Sequence, residues 1–478
     1  MKKVDVLVIG AGLLGCFTAR NLTRYELDVL VLEKEGDVSK GVSRANTGII
    51  YTGYDNKPGT RKSKLCIQAN EAFDALTREL DVPFARPGSL MVGYGPRADE
   101  VIRRKFRDGQ SSGVRGLRLL TGREAEDLEP GLAGGISSAM LSQFTGTVDP
   151  WELCIAAYEN ARDNGAEFRF NEEVRTVRRE NGRFLVETPR DCYSATAVVN
   201  AAGLYSDRVR ELVERPLLRL YPSAADYIVL DRSERGKVRH VIFHEGENGK
   251  GLTIVPTVDG NILIGPTDRD PEDGEAFNEG FRVTADGLAE LRRLCGMVAP
   301  SIELAKQIRT FGSLRPNPYR VREEAGAIIR EDKRLHDFSI LEEDGLFSLI
   351  GIKTPGLTYS NELGRMTADK AAAYAGRMTR RKDFNPNRTA IVRTRDLSVE
   401  ERAAAIAEDP GYGELVCGCM EVSRSEIIQA IDRGARDYEG VRRRTGAGMG
   451  RCQGSRCRKR IMDLLTEVSD EGPVRQDN

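Results

Sequence analysis

An apolar strand running into a glycine loop at the N-terminus, a strand-rich middle, and a helical tail with four paired cysteines predict an α/β chain. The expected architecture is a Rossmann-type nucleotide-binding domain, a mixed-sheet substrate domain and a small α-helical C-terminal domain. Residues 4–9 (VDVLVI) form the first strand, Gly10-x-Gly12-x-x-Gly15 opens a helix to about Tyr25, and Asp28–Leu32 form a second strand ending at Glu33. This is one strand–helix–strand unit. Residues 40–66, rich in Gly, Ser, Thr and Asn, read as a functional loop entering a helix, and 68–130 read as helical with turns. Trp151–Asn164 reads as an amphipathic helix stopped by Gly165. Segments 166–200 alternate as a small sheet, closing on the buried strand Ala197–Asn200 and the turn Ala201-Ala202-Gly203. Between 225 and 270, DYIVLD, HVIFH, GLTIVP and NILIGP are strand signals separated by Gly and Asp turns. A helix is expected over about 284–297, and Gly351–Thr358 follows the strand LFSLI and precedes a helix to about Ala375.

The basic, polar stretch 376–398 suits a linker. A compact module begins near Leu415: Ser423-x-x-Glu426 is a capping box for the helix EIIQAIDRG, TGAGMGRCQG is a glycine-rich loop, and Cys457 opens a last amphipathic helix, RKRIMDLL. The final SDEGPVRQDN reads as frayed, and no internal repeat is present.

At 478 residues the chain has room for roughly three domains of ~150 residues. With 40% hydrophobic and 30% charged residues it can bury a large core under a well-solvated surface. A net charge of −1 gives no general attraction to nucleic acid or an anionic membrane, so neither is expected as a partner. No apolar stretch reaches the ~20 residues of a membrane span. The opening MKKVDVLVIGAG has too short an apolar run, interrupted by Asp5, for a signal peptide. Cys16, Cys66, Cys154, Cys192 and Cys295 show no paired spacing and read as reduced, mostly core cysteines of a cytoplasmic protein, reaching any membrane only through a partner.

In Gly10-x-Gly12-x-x-Gly15 the first two glycines allow a tight turn and close approach to a pyrophosphate, and the third lets helix and strand pack closely. Glu33, 18 residues past Gly15, can accept both ribose hydroxyls and would repel a 2′-phosphate. At the other end, Cys417-x-Cys419 and Cys452-x-x-x-x-Cys457 can bring four thiolates together, which requires a metal or an iron–sulfur cluster to hold the charge. This is not zinc-ribbon spacing, although structural zinc and unrelated core cysteines are the plainer alternatives.

The segments around Gly10–Gly15, Ser43-x-x-Asn46-Thr47-Gly48, Asn200-Ala201-Ala202-Gly203 and Gly351–Thr358 resemble the D-amino-acid-oxidase-type FAD flavoproteins. Within these the chain is similar to the anaerobic glycerol-3-phosphate dehydrogenase large subunit and the L-2-hydroxyglutarate dehydrogenase group. GLTIVPTVDGNILIGPT resembles the strand pair that roofs the substrate side of the flavin there. The tail, with Arg442-Arg443-Arg444-Thr445 and Gly448-Met449-Gly450-x-Cys452-Gln453-Gly454-x-x-Cys457, resembles the bacterioferritin-associated-ferredoxin-like 2Fe-2S domain. The resemblance implies an FAD-dependent core at 1–375, with FAD segments at about 1–80, 145–215 and 325–375 and a substrate domain at about 81–144 and 216–324. It further implies a linker at 376–412 and a 2Fe-2S domain at 413–468. Gly10, Gly12, Leu13 and Leu14 would meet the pyrophosphate, Glu33 the ribose, and Val174 the adenine. Ser43, Asn46, Thr47 and Gly48 would lie along the ribityl chain and flavin edge, with Gly203 near the pyrophosphate. Gly351, Gly356, Leu357 and Thr358 would close over the isoalloxazine, and Cys417, Cys419, Cys452 and Cys457 would ligate the cluster. Ordinary turn and cap chemistry is the plainer reading of Asn46–Gly48 and Gly356–Thr358 taken singly. The cluster's negative charge would suit glycine-loop N–H groups and the nearby Arg451, Arg456, Arg458, Lys459 and Arg460.

Flavin chemistry needs a cation near the N1–C2 end of the ring, a role that suits Lys353, and an anion grip, for which the fork of Arg315 is a candidate. Either side chain can equally be a solvated cation. Where the relatives usually place a histidine after Asn-x-Gly-x-x, this chain has Tyr51, a hydrogen-bond donor but a poor base. His240 and His244 flank a strand leading to the flavin roof; either could supply a base or simply end a strand. The expected function is an FAD-dependent dehydrogenase acting on a glycerol-3-phosphate-like or 2-hydroxy-acid substrate. Electrons would pass through the 2Fe-2S cluster to an acceptor subunit or small carrier, within a hetero-oligomer. An amine or amino-acid dehydrogenase subunit and a non-catalytic cluster-bearing sensor are the rival expectations.

Overall fold

The computed structural model describes residues 1–246, 251–270 and 282–470. It forms two compact units, Met1–Pro386 and one beginning at Asn387.

The first unit is built on two eight-stranded sheets. In one, Lys2–Ile9 lies between Val29–Glu33 and Cys192–Asn200, all parallel, with Glu167–Phe170 outside the second strand. The N-terminal half of Cys192–Asn200 pairs with the antiparallel strand Arg183–Glu187, and its C-terminal half with the parallel strand Leu346–Ile350. Registers Ile9↔Leu32 and Ile9↔Asn200 put the carboxyl ends of three parallel strands level. Gly10, Glu33 and Ala201 therefore open onto one edge, where α/β sheets bind ligands. The strands read VLVI and AVVN because both faces are covered. Helices Leu13–Leu22 and Pro150–Asp163 share one core cluster with Leu363, Ala368 and Ala371 of helix Ser360–Tyr374. A Cβ on Gly364 would come within 2.9 Å of the backbone at Phe17 and Thr18, so glycine sets how closely these helices cross.

The other sheet is mostly antiparallel, with Gln307–Arg315 at one edge beside Ser223–Leu230 and Leu117–Thr121 at the far edge. It includes the expected strands of the 225–270 region. It also overturns the helical reading of 68–130. After helix Arg61–Glu79, strands Phe84–Ala85, Ser89–Gly93 and Leu117–Thr121 interrupt the helices Pro96–Ser111 and Gly122–Leu128. Ser89–Gly93 is buried along its whole length between two partners, so it lacks the alternation that marks a half-exposed strand. A third, smaller sheet pairs Leu218–Leu220 with the hairpin Pro318–Glu324 and Ala327–Arg334.

The second unit is helical. Val399–Glu408 and Arg424–Asp432 start with capping boxes at Ser398/Glu401 and Ser423/Glu426, and Tyr438–Thr445 and Arg458–Asp470 complete it. The first of these lies inside the expected linker 376–412. Its core is Ile427, Ile431, Val441, Ile461 and Leu464, with Cys417 and Cys457 among them. The stretch expected to fray lies, from residue 471 on, outside the described residues. Among the described residues no helix is long and apolar enough to cross a membrane.

Candidate active site and cysteine centre

A cavity of about 500 Å³ opens at the carboxyl edge of the parallel strands. Gly10, Gly12, Leu13, Leu14 and Glu33 form one end of its wall, with Val174 and Gly203 nearby. The glycine loop is a tight cradle. A Cβ on Gly10, whose φ is +100°, would lie 2.7 Å from Ala201 O; one on Gly15 would lie 1.8 Å from Gly10 O. Gly12 caps the helix without a side chain, leaving its start open to the cavity. Leu13 N–H donates to Ser43 Oγ at 3.0 Å, so the 40–46 loop is tied to the glycine loop. Glu33 accepts from Ala11 N–H at 2.7 Å and Glu35 N–H at 2.9 Å. Burial pushes its carboxyl up, and those two donors pull it back.

Ser43, Asn46 and Thr47 also line the cavity. Asn46 also does turn chemistry: its side chain donates to Ser43 O at 2.9 Å and accepts from Gly48 N–H at 2.9 Å. Gly48 stands outside the lining, because a Cβ there would meet Val148 O at 2.4 Å. Gly351, at φ +73°, is likewise a packing position, pressed against the ring of Pro318. Gly356 and Leu357 reach the cavity. Thr358 is buried behind it, where its Oγ1 accepts from Tyr51 N–H at 3.0 Å and links the two loops that flank the far end.

That far end holds Tyr51, Arg315 and Lys353 together. Burial holds the Tyr51 phenol well above its usual range, so it is a donor at any working pH. Arg315 pairs with Asp268 at 2.6 Å and donates to Thr267 O at 3.0 Å. Lys353 Nζ donates to Asn317 Oδ1 at 2.6 Å, and Asn317 donates to Ser223 Oγ at 3.1 Å. Burial lowers the Lys353 ammonium to about 8, helped by repulsion from Arg334, Lys62 and Arg315. The sequence reading missed Tyr227, which walls the cavity from the second sheet with its ring stacked on Phe311 at 4.6 Å. Asn317 was missed too; its only signal was the Pro-x-Pro setting of Pro316-Asn317-Pro318. Neither candidate histidine lines the cavity. His240 Nδ1 is 2.6 Å from the buried Glu129 carboxylate, and His244 packs against Tyr94.

In the second unit the four cysteines do meet. Cys417 Sγ is 3.9 Å from Cys419 Sγ, which is 3.6 Å from Cys452 Sγ, and Cys457 lies against Cys417. Gly448 N–H donates to Cys417 Sγ at 3.4 Å. Burial raises the Cys417 and Cys457 thiols. At Cys452 burial is outweighed by the Gly454 N–H, the Cys419 thiol and the Arg456 N–H together, and the thiol is lowered. A Cβ on Gly450 would come 2.7 Å from Cys419 Sγ, so the loop closes on the sulfurs only with glycine there. This donor set, four thiols with amide N–H groups aimed at them and a glycine loop drawn tight, fits a sulfur-ligated cluster. The nearby basic run, which could suit the cluster's charge or form a solvated face, has Arg451, Arg456, Arg458 and Lys459 exposed and Arg460 half-buried. Lys459 pairs with Asp463, and Arg460 with Glu414 and Glu467; the buried cations of the module are Arg442, Arg443 and Arg444.

The family model of FAD dependent oxidoreductases (DAO) matches residues 5–370, and that of BFD-like 2Fe-2S binding domains matches 415–467. The chain is 34% identical over 464 residues to glycerol 3-phosphate dehydrogenase of Caloramator mitchellensis, covering 96% of this chain and 93% of that one. It is 28% identical over 513 residues to anaerobic glycerol-3-phosphate dehydrogenase subunit A1 of Haloferax volcanii, covering 99% and 84%. Among solved structures, the dithionite-reduced, FAD-bound L-alpha-glycerophosphate oxidase from Mycoplasma pneumoniae is similar with a TM-score of 0.72 at 24% identity, covering 81% of this chain and 99% of that one, a likeness of fold. The glycine cradle, the cavity at the strand ends and the four-cysteine loop thus have one explanation: the chain belongs to the FAD dependent oxidoreductase family, as a flavoprotein dehydrogenase whose C-terminal domain binds a 2Fe-2S cluster.

Proposed function

We propose that this dehydrogenase oxidises a small anionic hydroxy compound of the glycerol 3-phosphate class and passes the electrons through its cluster to an external acceptor. The observation that carries the reading is the set of cations at the far end of the cavity: Arg315 and Lys353 on its wall, with Arg334 and Lys62 close enough to depress Lys353. Asp268 offsets part of this charge, yet the Lys353 ammonium is still held below its usual range, so the group keeps an excess of positive charge that an added anion would relieve. A phosphate monoester, with its charge spread over several oxygens, suits a guanidinium fork and an ammonium better than a neutral substrate would. The names carried by the Caloramator and Haloferax relatives point the same way.

When bound, FAD supplies a hydride acceptor for the carbinol carbon, and the cluster supplies one-electron transfer. Arg315 and Lys353 hold the anionic end of the substrate. At neutral pH Lys353 is cationic, since its ammonium titrates at about 8, and it offsets negative charge that develops beside it. Tyr51, kept protonated, donates a hydrogen bond and orients the substrate, and the substrate's hydroxyl proton leaves to solvent as the hydride leaves the carbon. Thr358 fixes the Tyr51 backbone, and Asn317 fixes the Lys353 amine. The acceptor is a partner subunit or a small electron carrier; the first would make a hetero-oligomer, in keeping with a relative named as a subunit. The residues assigned to FAD are the sequence candidates that line the cavity, Gly10, Gly12, Leu13, Leu14, Glu33, Ser43, Asn46, Thr47, Val174, Gly203, Gly356 and Leu357, and those assigned to the cluster are the four cysteines.

Anaerobic addition of glycerol 3-phosphate, L-2-hydroxyglutarate, glycine or proline to the holoenzyme tests the proposal. Glycerol 3-phosphate is expected to bleach the flavin and raise the EPR signal of a reduced cluster. Bleaching by the amino acids alone, or a cluster that stays oxidised beside a reduced flavin, would overturn it.

A further inference from the structure

The hydroxyl of Tyr438 is buried and has no hydrogen-bond partner among the described residues. The residue is 8% exposed and belongs to the core of the cysteine module. Its position is unusual. Gly448 and Gly454, both at positive φ (+76° and +87°), present bare Cα atoms to it, and a Cβ on either would come within 2.3 and 2.0 Å of the Tyr438 oxygen. Gly448 is the residue whose N–H donates to Cys417 Sγ, and Gly454 lies between the ligand candidates Cys452 and Cys457. The phenol oxygen thus reaches the place where both halves of the four-cysteine loop converge. The guanidinium groups of Arg442 and Arg458 lie over its ring, 5.5 and 5.1 Å from the centroid.

A buried donor left unmade is costly, and a phenylalanine would serve as a spacer without that cost. The hydroxyl needs an acceptor; the two glycines it packs against belong to the loop that carries the thiols, and the Cys457 thiol is near enough to act on it electrostatically. We infer that the Tyr438 hydroxyl donates a hydrogen bond to an inorganic sulfide of the 2Fe-2S cluster, and so sets the potential at which the cluster takes its electron. Reduction adds one negative charge to the cluster, and a donor to sulfur stabilises the more negative state, so the bond raises the reduction potential. Tyr438 is therefore a positioning residue for electron transfer that the cysteine spacing does not reveal.

The test is Tyr438→Phe in the full-length holoprotein, titrated with dithionite and mediators and followed by EPR. The ring is kept and only the oxygen is lost. The expected result is about a tenfold shift of the cluster toward its oxidised form, which for one electron is about 59 mV more negative. Iron and sulfide per chain and the flavin potential should stay unchanged. A cluster potential equal to the parent's would overturn the inference and leave Tyr438 as a spacer. Should the variant fail to retain iron, 3-fluorotyrosine at position 438, a stronger donor, is expected to move the potential upward, and no movement there overturns the inference equally. Neither titration uses substrate, so failure here leaves the proposed substrate untouched, and an error in that substrate leaves this result standing.

Discussion

The two redox sites are assembled in opposite ways. The cavity of the first unit draws its wall from residues between Ile9 and Leu357, brought together by sheet register and by loops held to one another through single hydrogen bonds. The cysteine centre draws on 41 positions, Cys417 to Cys457, held by its own small core. A dispersed site depends on the whole sheet for its shape. A local one depends on a few glycines that let a loop shut.

Substitutions at each site should expose that difference. The largest effect is expected from Cys452→Ser: iron falls below about a tenth of the parent while bound FAD is retained, measured by iron assay and flavin absorbance. Loss of both cofactors would break the separation. Gly10→Ala forces a Cβ to 2.7 Å from Ala201 O at φ +100°, so FAD content should fall roughly tenfold with iron unchanged. Lys353→Met should lower kcat/KM by roughly 10²–10³, the size of a lost electrostatic stabiliser. In the parent, kcat/KM should fall as pH rises through about 8, where the Lys353 ammonium loses its proton, and that limb should vanish in the variant. A rate that rises through the same pH would make the neutral amine the working form. Asn317→Ala removes the acceptor 2.6 Å from that ammonium and should cost about tenfold in kcat/KM through looser positioning. The smallest effect is expected at His240→Gln: about 1–2 kcal/mol of stability from disturbing the buried Glu129 carboxylate, read by thermal melting, with kcat within about twofold because the ring lies outside the cavity.

The features readable in the sequence were those whose chemistry is local. The strand, glycines and helix of residues 4–22 lie in a row, and so do the paired cysteines, so spacing alone carries them. Lys353 was readable as a candidate through the glycine segment, and Arg315 through its planar fork. The company they keep was not. Tyr227 reaches the cavity because Ser223–Leu230 pairs with Gln307–Arg315, a register no local pattern records. Ser89–Gly93 was hidden for a related reason, since a strand buried on every side has the same apolar run as a core helix segment. Gly48 and Gly351 show the converse. Both were read as cofactor contacts, but their missing side chains make room for Val148 O and the Pro318 ring. Tyr438 carried no sequence signal, because its partners in space, Gly448 and Gly454, sit ten and sixteen positions away.

The capped helices and self-sufficient core of the Asn387 unit have a consequence for how such enzymes diversify. The flavin fold and the cluster domain are separate parts, each specified by its own stretch of chain. A tail with another cluster or none could be joined to the same flavin fold without redrawing its cavity.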